Sequence, residues 1–317
     1  MLANFALWFV ILLITIFLGW VVTRAWRIRN VALRWLSVIL SGLLTLVLAG
    51  VCVASLIGLV KFYTPAGTPA QDVTITGTPE QIQRGQHLAD SFCVSCHSAT
   101  GNLPMAGGVD MSKDFPLPLG SFVTVNLTPA GPLKNWTDGE ILRTLREGVD
   151  RNGQKLFFMS NVNVRYMSDE DLQSIIAYLR NQPAVENPTQ DPPDKPTLLA
   201  AFMSGIGLLP SGNPPVTATI TAPPKAATVE YGEYLLSYQD CRGCHGADLT
   251  GGTSPFIPKG PSLRVVKGWT LEQFISTLRN GVDPSGHNLS QAMPWRDLGK
   301  LDDDELGAIY KYLVTLQ

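Results

Sequence analysis

From Leu2 to Val60 the chain contains not one Asp or Glu. Two apolar runs fill that stretch, residues 4–22 (NFALWFVILLITIFLGWVV) and 35–60 (WLSVILSGLLTLVLAGVCVASLIGLV). Each reaches the roughly 20 residues needed to cross a bilayer. Burying such a hairpin in a soluble core would require a very large protein around it. The first five residues, MLANF, lack Lys and Arg, and the run behind them is long for a signal sequence. Both features favour an anchor that stays on the protein over a cleaved leader. Between the runs, TRAWRIRNVALR carries Arg24, Arg27, Arg29 and Arg34. A short loop this rich in arginine is expected to stay in the cytoplasm, which puts both chain ends on the periplasmic side of a bacterial cytoplasmic membrane.

The remaining residues, 67–317, hold 19 Lys and Arg against 26 Asp and Glu, a formal charge of −7. No basic stripe is present, which excludes a nucleic-acid surface. Strand alternation is lacking as well. What is there is a repeat. WTDGEILRTLREGVDRNG (136–153) aligns with WTLEQFISTLRNGVDPSG (269–286), and MSDEDLQSIIAYL (167–179) with LDDDELGAIYKYL (301–313). Upstream, RGQHLADSFCVSCH (84–97) aligns with YGEYLLSYQDCRGCH (231–245), one residue inserted. A period of about 150 residues is too long for a solenoid, so the repeat reads as two copies of one small domain.

Each copy spells helices. Thr78-Pro79 with Gln81, Thr137 with Glu140, Thr270 with Gln273, and Asp302 with Glu305 are N-terminal capping patterns. Leu172, Ile175, Ile176 and Leu179, then Leu306, Ile309, Tyr310 and Leu313, recur at helical spacing. The expected architecture is all-α: a transmembrane hairpin with a basic cytoplasmic loop (1–66), a first domain (67–181), a connector (182–225) and a second domain (226–317). The stretch 182–229 holds ten prolines, including Pro192-Pro193, Pro214-Pro215 and Pro223-Pro224, and reads as semi-rigid. Its apolar centre, TLLAAFMSGIGLLP, is expected to pack on its own domains, a partner or the membrane. Helical domains this small have poor cores and call for a staple or a large prosthetic group.

Of five cysteines, Cys52 lies alone in the second apolar run, where it reads as an inert small residue. The other four form two C-x-x-C-H units, Cys93-Cys96-His97 and Cys241-Cys244-His245. This is the attachment pattern for c-type haem: two thiols bond the porphyrin and the adjacent imidazole binds iron. A shared four-thiolate zinc site is disfavoured because the pairs lie 148 residues apart. A thioredoxin-like pair would need a βαβ context. The expected cofactors are two covalently attached haem c groups.

The second axial position decides between carrying electrons and reacting with small molecules. Met159 and Met293 each lie eight residues before the start of the last aligned segment, and the repeat nominates them as equivalents. Met293 is followed by Pro294, whereas Met159 is followed by Ser160. Met105 and Met111 are alternatives for the first site, and Met167 reads as core. His87 and His287 read as solvated or hydrogen-bonded loop residues. Trp136, Trp269 and Trp295 are candidates to pack on a haem or simply in the core.

Residues 75–181 and 226–317 resemble class I cytochrome c domains, on CVSCH with WTDGEILRTLREGVD and MSDEDLQSIIAYLR, and on CRGCH with MPW and LDDDELGAIYKYL. The phrasing is similar to the cytochrome subunits of membrane-bound alcohol and sugar-acid dehydrogenases, which usually have three such domains. It is similar also to the dihaem subunit of cbb3-type oxidases. The resemblance implies a membrane-bound electron-transfer subunit rather than an enzyme. Its partners would be a quinol-oxidising complex or dehydrogenase upstream, and a terminal oxidase, reaction centre or soluble carrier downstream. The alternative is a dihaem, peroxidase-like enzyme with one open iron.

Overall fold

The computed structural model describes residues 1–189, 194–253 and 258–317; the Pro192-Pro193 step lies outside the described residues. In chain order the helices are α1 (Leu2–Ala25), α2 (Val31–Tyr63), α3 (Pro79–Leu88), α4 (Val94–His97), α5 (Asp138–Glu147) and α6 (Asp169–Asn181). There follow α7 (Leu198–Gly205), α8 (Val229–Tyr238), α9 (Cys241–His245), α10 (Leu271–Asn280), α11 (Trp295–Leu298) and α12 (Asp303–Thr315). Two short strands, β1 (Gly120–Phe122) and β2 (Asp194–Pro196), and several short 3-10 turns accompany them. The chain divides into two compact units: Met1–Ala66 with Asp110–Phe122 and Pro192–Gly212, and Gly67–Val109 with Val123–Asp191 and Asn213–Gln317.

In the first unit, α1 and α2 run past the apolar stretches at both ends, because nothing in the flanking residues stops a helix. Arg24 falls in the last turn of α1 and Arg34 in the first of α2, so the linking turn shrinks to Trp26–Asn30. Asn30 ends that turn by accepting from the Leu33 amide at 3.1 Å. At 1.5 Å per residue the helices are roughly 36 and 50 Å long, enough for a hydrocarbon layer of about 30 Å. Trp8 Nε1 donates to the Cys52 carbonyl at 2.9 Å, and Thr15 Oγ1 lies 3.8 Å from the buried Cys52 Sγ. β1 and β2 pair antiparallel, Gly120 opposite Pro196. Three-residue strands are too short to leave a period in the sequence, which is why none was legible. The apolar centre of the connector forms α7, capped by Thr197 and packed on α2.

The second unit contains both repeats. All four capping patterns form as reciprocal boxes, at Thr78/Gln81, Thr137/Glu140, Thr270/Gln273 and Asp302/Glu305. In each copy the first helix crosses the last, α3 on α6 and α8 on α12. A glycine at the same repeat position permits it. A Cβ on Gly85 would lie 1.8 Å from the Ser174 carbonyl oxygen, and one on Gly232 would lie 2.1 Å from that of Ala308. The copies do not keep separate cores. One apolar cluster runs from Leu88, Leu172 and Ile176 through Tyr231 and Leu235 to Leu306 and Ile309. Sharing a core relieves the small-domain shortage that the sequence implied.

Candidate functional site

The first C-x-x-C-H unit continues from α3. One π-turn, Ala89–Cys93, widens the helix before α4 presents Cys96 and His97. The second unit is α9 itself, entered through Asp240 in the left-handed region at φ 59°. None of the four cysteines is in a disulfide. Burial pushes the thiols of Cys93 and Cys241 up to about 12. A redox-active dithiol needs the opposite shift.

Both imidazoles are oriented through Nδ1, leaving Nε2 as the nitrogen for a metal. His245 Nδ1 lies 2.7 Å from the Pro261 carbonyl oxygen, and His97 Nδ1 lies 3.5 Å from that of Val125. Glycine permits the closer approach: a Cβ on Gly260 would be 2.5 Å from His245 Nδ1. The returning loop is pinned by Gly260 N to the Cys244 carbonyl (2.9 Å) and Gly251 N to the His245 carbonyl (2.8 Å). In the first copy, Gly107 N donates to the His97 carbonyl at 2.9 Å. Burial lowers the pKa of His97 to about 4, with the Val125 carbonyl partly opposing, so the ring is held neutral.

The shared Gly-Val-Asp sequence builds the approach to each methionine. Gly148 and Gly281 end α5 and α10 in the left-handed region. Asp150 Oδ1 accepts from the amides of Asn152 and Gln154, and Asp283 Oδ1 from those of Ser285 and His287. The chain then doubles back, through Leu156 N to the Gly148 carbonyl and Leu289 N to the Gly281 carbonyl. Met159 and Met293 follow, both partly buried against the core. Met105 and Met167 are fully enclosed in it. Trp136 and Trp269 pack against the same cluster.

No sequence pattern points to what holds the Met159 loop. Arg165 is fully buried, and its guanidinium donates to the carbonyls of Met159 (3.2 Å), Ser160 (2.7 Å), Asn213 and Pro214 (3.1 Å each). Where the second copy stiffens its loop with Pro294, the first uses a cation. Its repeat counterpart is Gly299, so alignment of the copies could not find it.

Those donors fit a covalently attached haem in each copy: two thiols outside any disulfide, an imidazole oriented through Nδ1, and a thioether on a supported loop. Among the described residues, the buried Trp295 Nε1, Tyr238 Oη and Gln239 Nε2 lack partners, and all three flank the second motif or Met293. Orphaned buried donors beside a ligand set call for a polar group on the missing partner.

The two sites face a common seam. Asn163 Nδ2, four residues after Met159, donates to Asp240 Oδ1, next to Cys241, at 2.7 Å. Reciprocally Lys300, seven residues after Met293, donates to Asp90 Oδ1 (3.0 Å) and the Gly101 carbonyl (2.7 Å), on either side of the first motif. Phe92 and Tyr238 meet edge to face with centroids 6.0 Å apart. Burial raises Asp240 to about 6.

Beneath these contacts lies a buried charge network. Arg84 Nε is 2.9 Å from Asp171 Oδ1, and its Nη1 is 2.8 Å from Glu305 Oε1 of the other copy. Tyr234 Oη donates to Asp171 Oδ2 at 2.6 Å and accepts from Ser168 N at 2.8 Å. His87 is not a loop residue: it lies on α3 with Nε2 2.6 Å from Glu305 Oε2, because α12 brings that carboxylate onto its face. Lys225 completes the cluster 3.6 Å from Glu305. His287 stays in a loop, as expected.

Residues 82–183 match the family described as Cytochrome c, and residues 227–313 match Cytochrome C oxidase, cbb3-type, subunit III. The chain is 25% identical, over 83% of its length, to the "Gluconate 2-dehydrogenase cytochrome c subunit" of Pantoea cypripedii, of which it covers 64%. It is 26% identical, over 74% of its length, to the "Alcohol dehydrogenase (quinone), cytochrome c subunit" of Gluconacetobacter polyoxogenes, of which it covers 56%. It is 30% identical, over 38% of its length, to the "Diheme cytochrome c-type" protein of Cereibacter sphaeroides, of which it covers 42%. The chain therefore spans less than two thirds of the length of these relatives.

Proposed function

We propose that this chain, whose two repeats are cytochrome c-type domains homologous to dehydrogenase cytochrome subunits, is a membrane-bound relay of single electrons on the periplasmic side. Cys93, Cys96 and His97 would hold one haem c, and Cys241, Cys244 and His245 a second, with Met159 and Met293 as the thioether ligands. Haem c bound in this way supplies a reversible one-electron iron couple, whose potential a thioether raises. The chain's own residues position and tune. The carbonyls of Val125 and Pro261 fix the imidazoles, Arg165 holds the Met159 loop, and α1 and α2 anchor the whole to the membrane. A quinol-oxidising complex or dehydrogenase is the donor, and an oxidase, reaction centre or soluble carrier the acceptor.

The observation that carries this reading is the reciprocal seam. Each methionine loop touches the attachment segment of the other copy, through Asn163 to Asp240 and Lys300 to Asp90. An enzyme with one open site has no need of a shared wall. Carbon monoxide titration of the reduced, haem-loaded protein tests it. A relay leaves both irons closed to the gas, whereas stoichiometric binding at one haem replaces the relay with the peroxidase-like alternative.

A further inference from the structure

Residues 197–212 contain no charged side chain, and each exposed residue between Leu198 and Leu209 is Leu, Ile or Gly. Leu199 is 38% exposed, Ile206 and Leu208 49% each. A helix lying in water presents a polar outer face. This one does not.

Its inner face fixes its depth along α2. A Cβ on Gly58 would lie 1.7 Å from the Ala201 carbonyl oxygen, and one on Gly205 would lie 1.8 Å from that of Ala54. Backbone approach of this kind through small residues is how helices associate within lipid. Leu198 and Ala201 also pack with Leu59 of α2 and with Trp8 and Ile11 of α1. Ala54 lies six residues inside the apolar run that ends at Val60, roughly 9 Å along the helix. The C-terminal end of α7 is therefore level with hydrocarbon wherever the end of α2 crosses the membrane.

A helix end at that depth must satisfy its own carbonyls, because no water is there to do so. Three of the last four carbonyls of α7 are paired within the protein. Ile206 N donates to the Phe202 carbonyl (3.1 Å), Leu208 N to that of Met203 (2.9 Å) and Gly207 N to that of Ser204 (3.2 Å). Gly207 turns the chain at φ +78°, a conformation that glycine takes without strain. Lys61 Nζ adds a bond to the Ser204 carbonyl at 2.9 Å, placing a cation at the negative end of the α7 dipole.

We propose that α7 and the turn at 206–209 form a re-entrant membrane element whose exposed side chains are covered by lipid acyl chains. The occupant is lipid because α7 packs directly on α2, whose Val53, Ile57 and Val60, next in the chain to the contact residues Ala54, Gly58 and Leu59, are themselves exposed and apolar. The inference rests on reading α1 and α2 as spans, and the experiment separates the two. A nitroxide is placed on the full-length, haem-loaded protein at Ile206→Cys, at Leu208→Cys as a second site, and at Leu43→Cys in mid-α2 as control. All are made in a Cys52→Ser background and reconstituted in phosphatidylcholine vesicles. Collision with oxygen and with a water-soluble nickel chelate is then measured. Lipid coverage predicts that oxygen dominates at 206 and 208, as at 43. Chelate dominance at 206 and 208 with oxygen dominance at 43 overturns the re-entrant element alone. Low collision with both reagents there means protein, not lipid, covers the surface, and overturns it too. Chelate dominance at 43 removes the spanning reading and the inference with it.

Discussion

Replacing Arg84 by Met tests whether the seam between the repeats is held by its buried charges. The side chain is 22% exposed, while those of Asp171 and Glu305 are 7% and 0% exposed. Removing the guanidinium strands two carboxylates in a site that cannot rehydrate them. Loss of one partner from a buried pair costs about 3–5 kcal/mol. Here the lower end applies, because Glu305 keeps His87 at 2.6 Å and Lys225 at 3.6 Å, and Asp171 keeps the Tyr234 hydroxyl. A loss of about 3 kcal/mol lowers the midpoint of a 150–250-residue unit by roughly 6–12 °C. Far-UV circular dichroism melting of the haem-loaded protein in detergent reads this directly.

Neutralising the acids as well provides the internal control. Replacing a whole buried ionic set with neutral groups is often near neutral in energy. Adding Asp171→Asn and Glu305→Gln to Arg84→Met should therefore recover much of the lost midpoint. A single-variant shift below about 2 °C would refute the reasoning, since it would mean the carboxylates reach water or a new cation at no cost. So would a triple variant that falls further still.

The same network predicts an acid limit. Burial would raise the pKa of Glu305, but His87, Arg84 and Lys225 together hold it down from 4.5 to about 2. Its contribution, about 3 kcal/mol, is full above pH 4.5 and drains away as the pH falls towards 2; Glu305→Gln should flatten the melting midpoint across that window. Met293→Ala should abolish the sulfur-to-iron charge-transfer band of one haem and lower its potential, and Met159→Ala should do the same for the other; retention of both bands in either variant would reject that ligand. Arg165→Met removes the support for four carbonyls around the Met159 loop, so it should weaken the band assigned to Met159 while sparing that of Met293, as read by near-infrared absorbance of the oxidised protein.

What was legible in the sequence was local. The caps at Thr78, Thr137, Thr270 and Asp302 were readable because a box is written within four residues. The two C-x-x-C-H units were readable because the covalent attachment proposed for them requires a fixed spacing. The repeat itself exposed Met159 and Met293 as equivalents. What was hidden depends on pairs far apart in the chain. Nothing near His87 points to Glu305, 218 residues away, and Arg84 in α3 gives no sign that its charge is shared between copies. Arg165 was invisible for a different reason. The copies solve the same loop by different means, so comparing them masks the residue that only one of them needs.

That asymmetry bears on how two similar sites come to differ. A loop fixed by Pro294 is restrained through its own backbone, whatever surrounds it. The Met159 loop is restrained through Arg165, which also grips Asn213 and Pro214 of the connector. The connector in turn delivers Lys225 to Asp302 and Glu305 in the other copy. Both loops touch the seam directly, but a disturbance there can also reach the first methionine loop by a second route, through the chain that joins the copies. The first site is accordingly the one whose ligation should respond most to strain between the repeats. The Arg84→Met variant gives this a second readout: any weakening of a charge-transfer band should fall on the Met159 haem, and weakening confined to the Met293 haem would contradict the coupling.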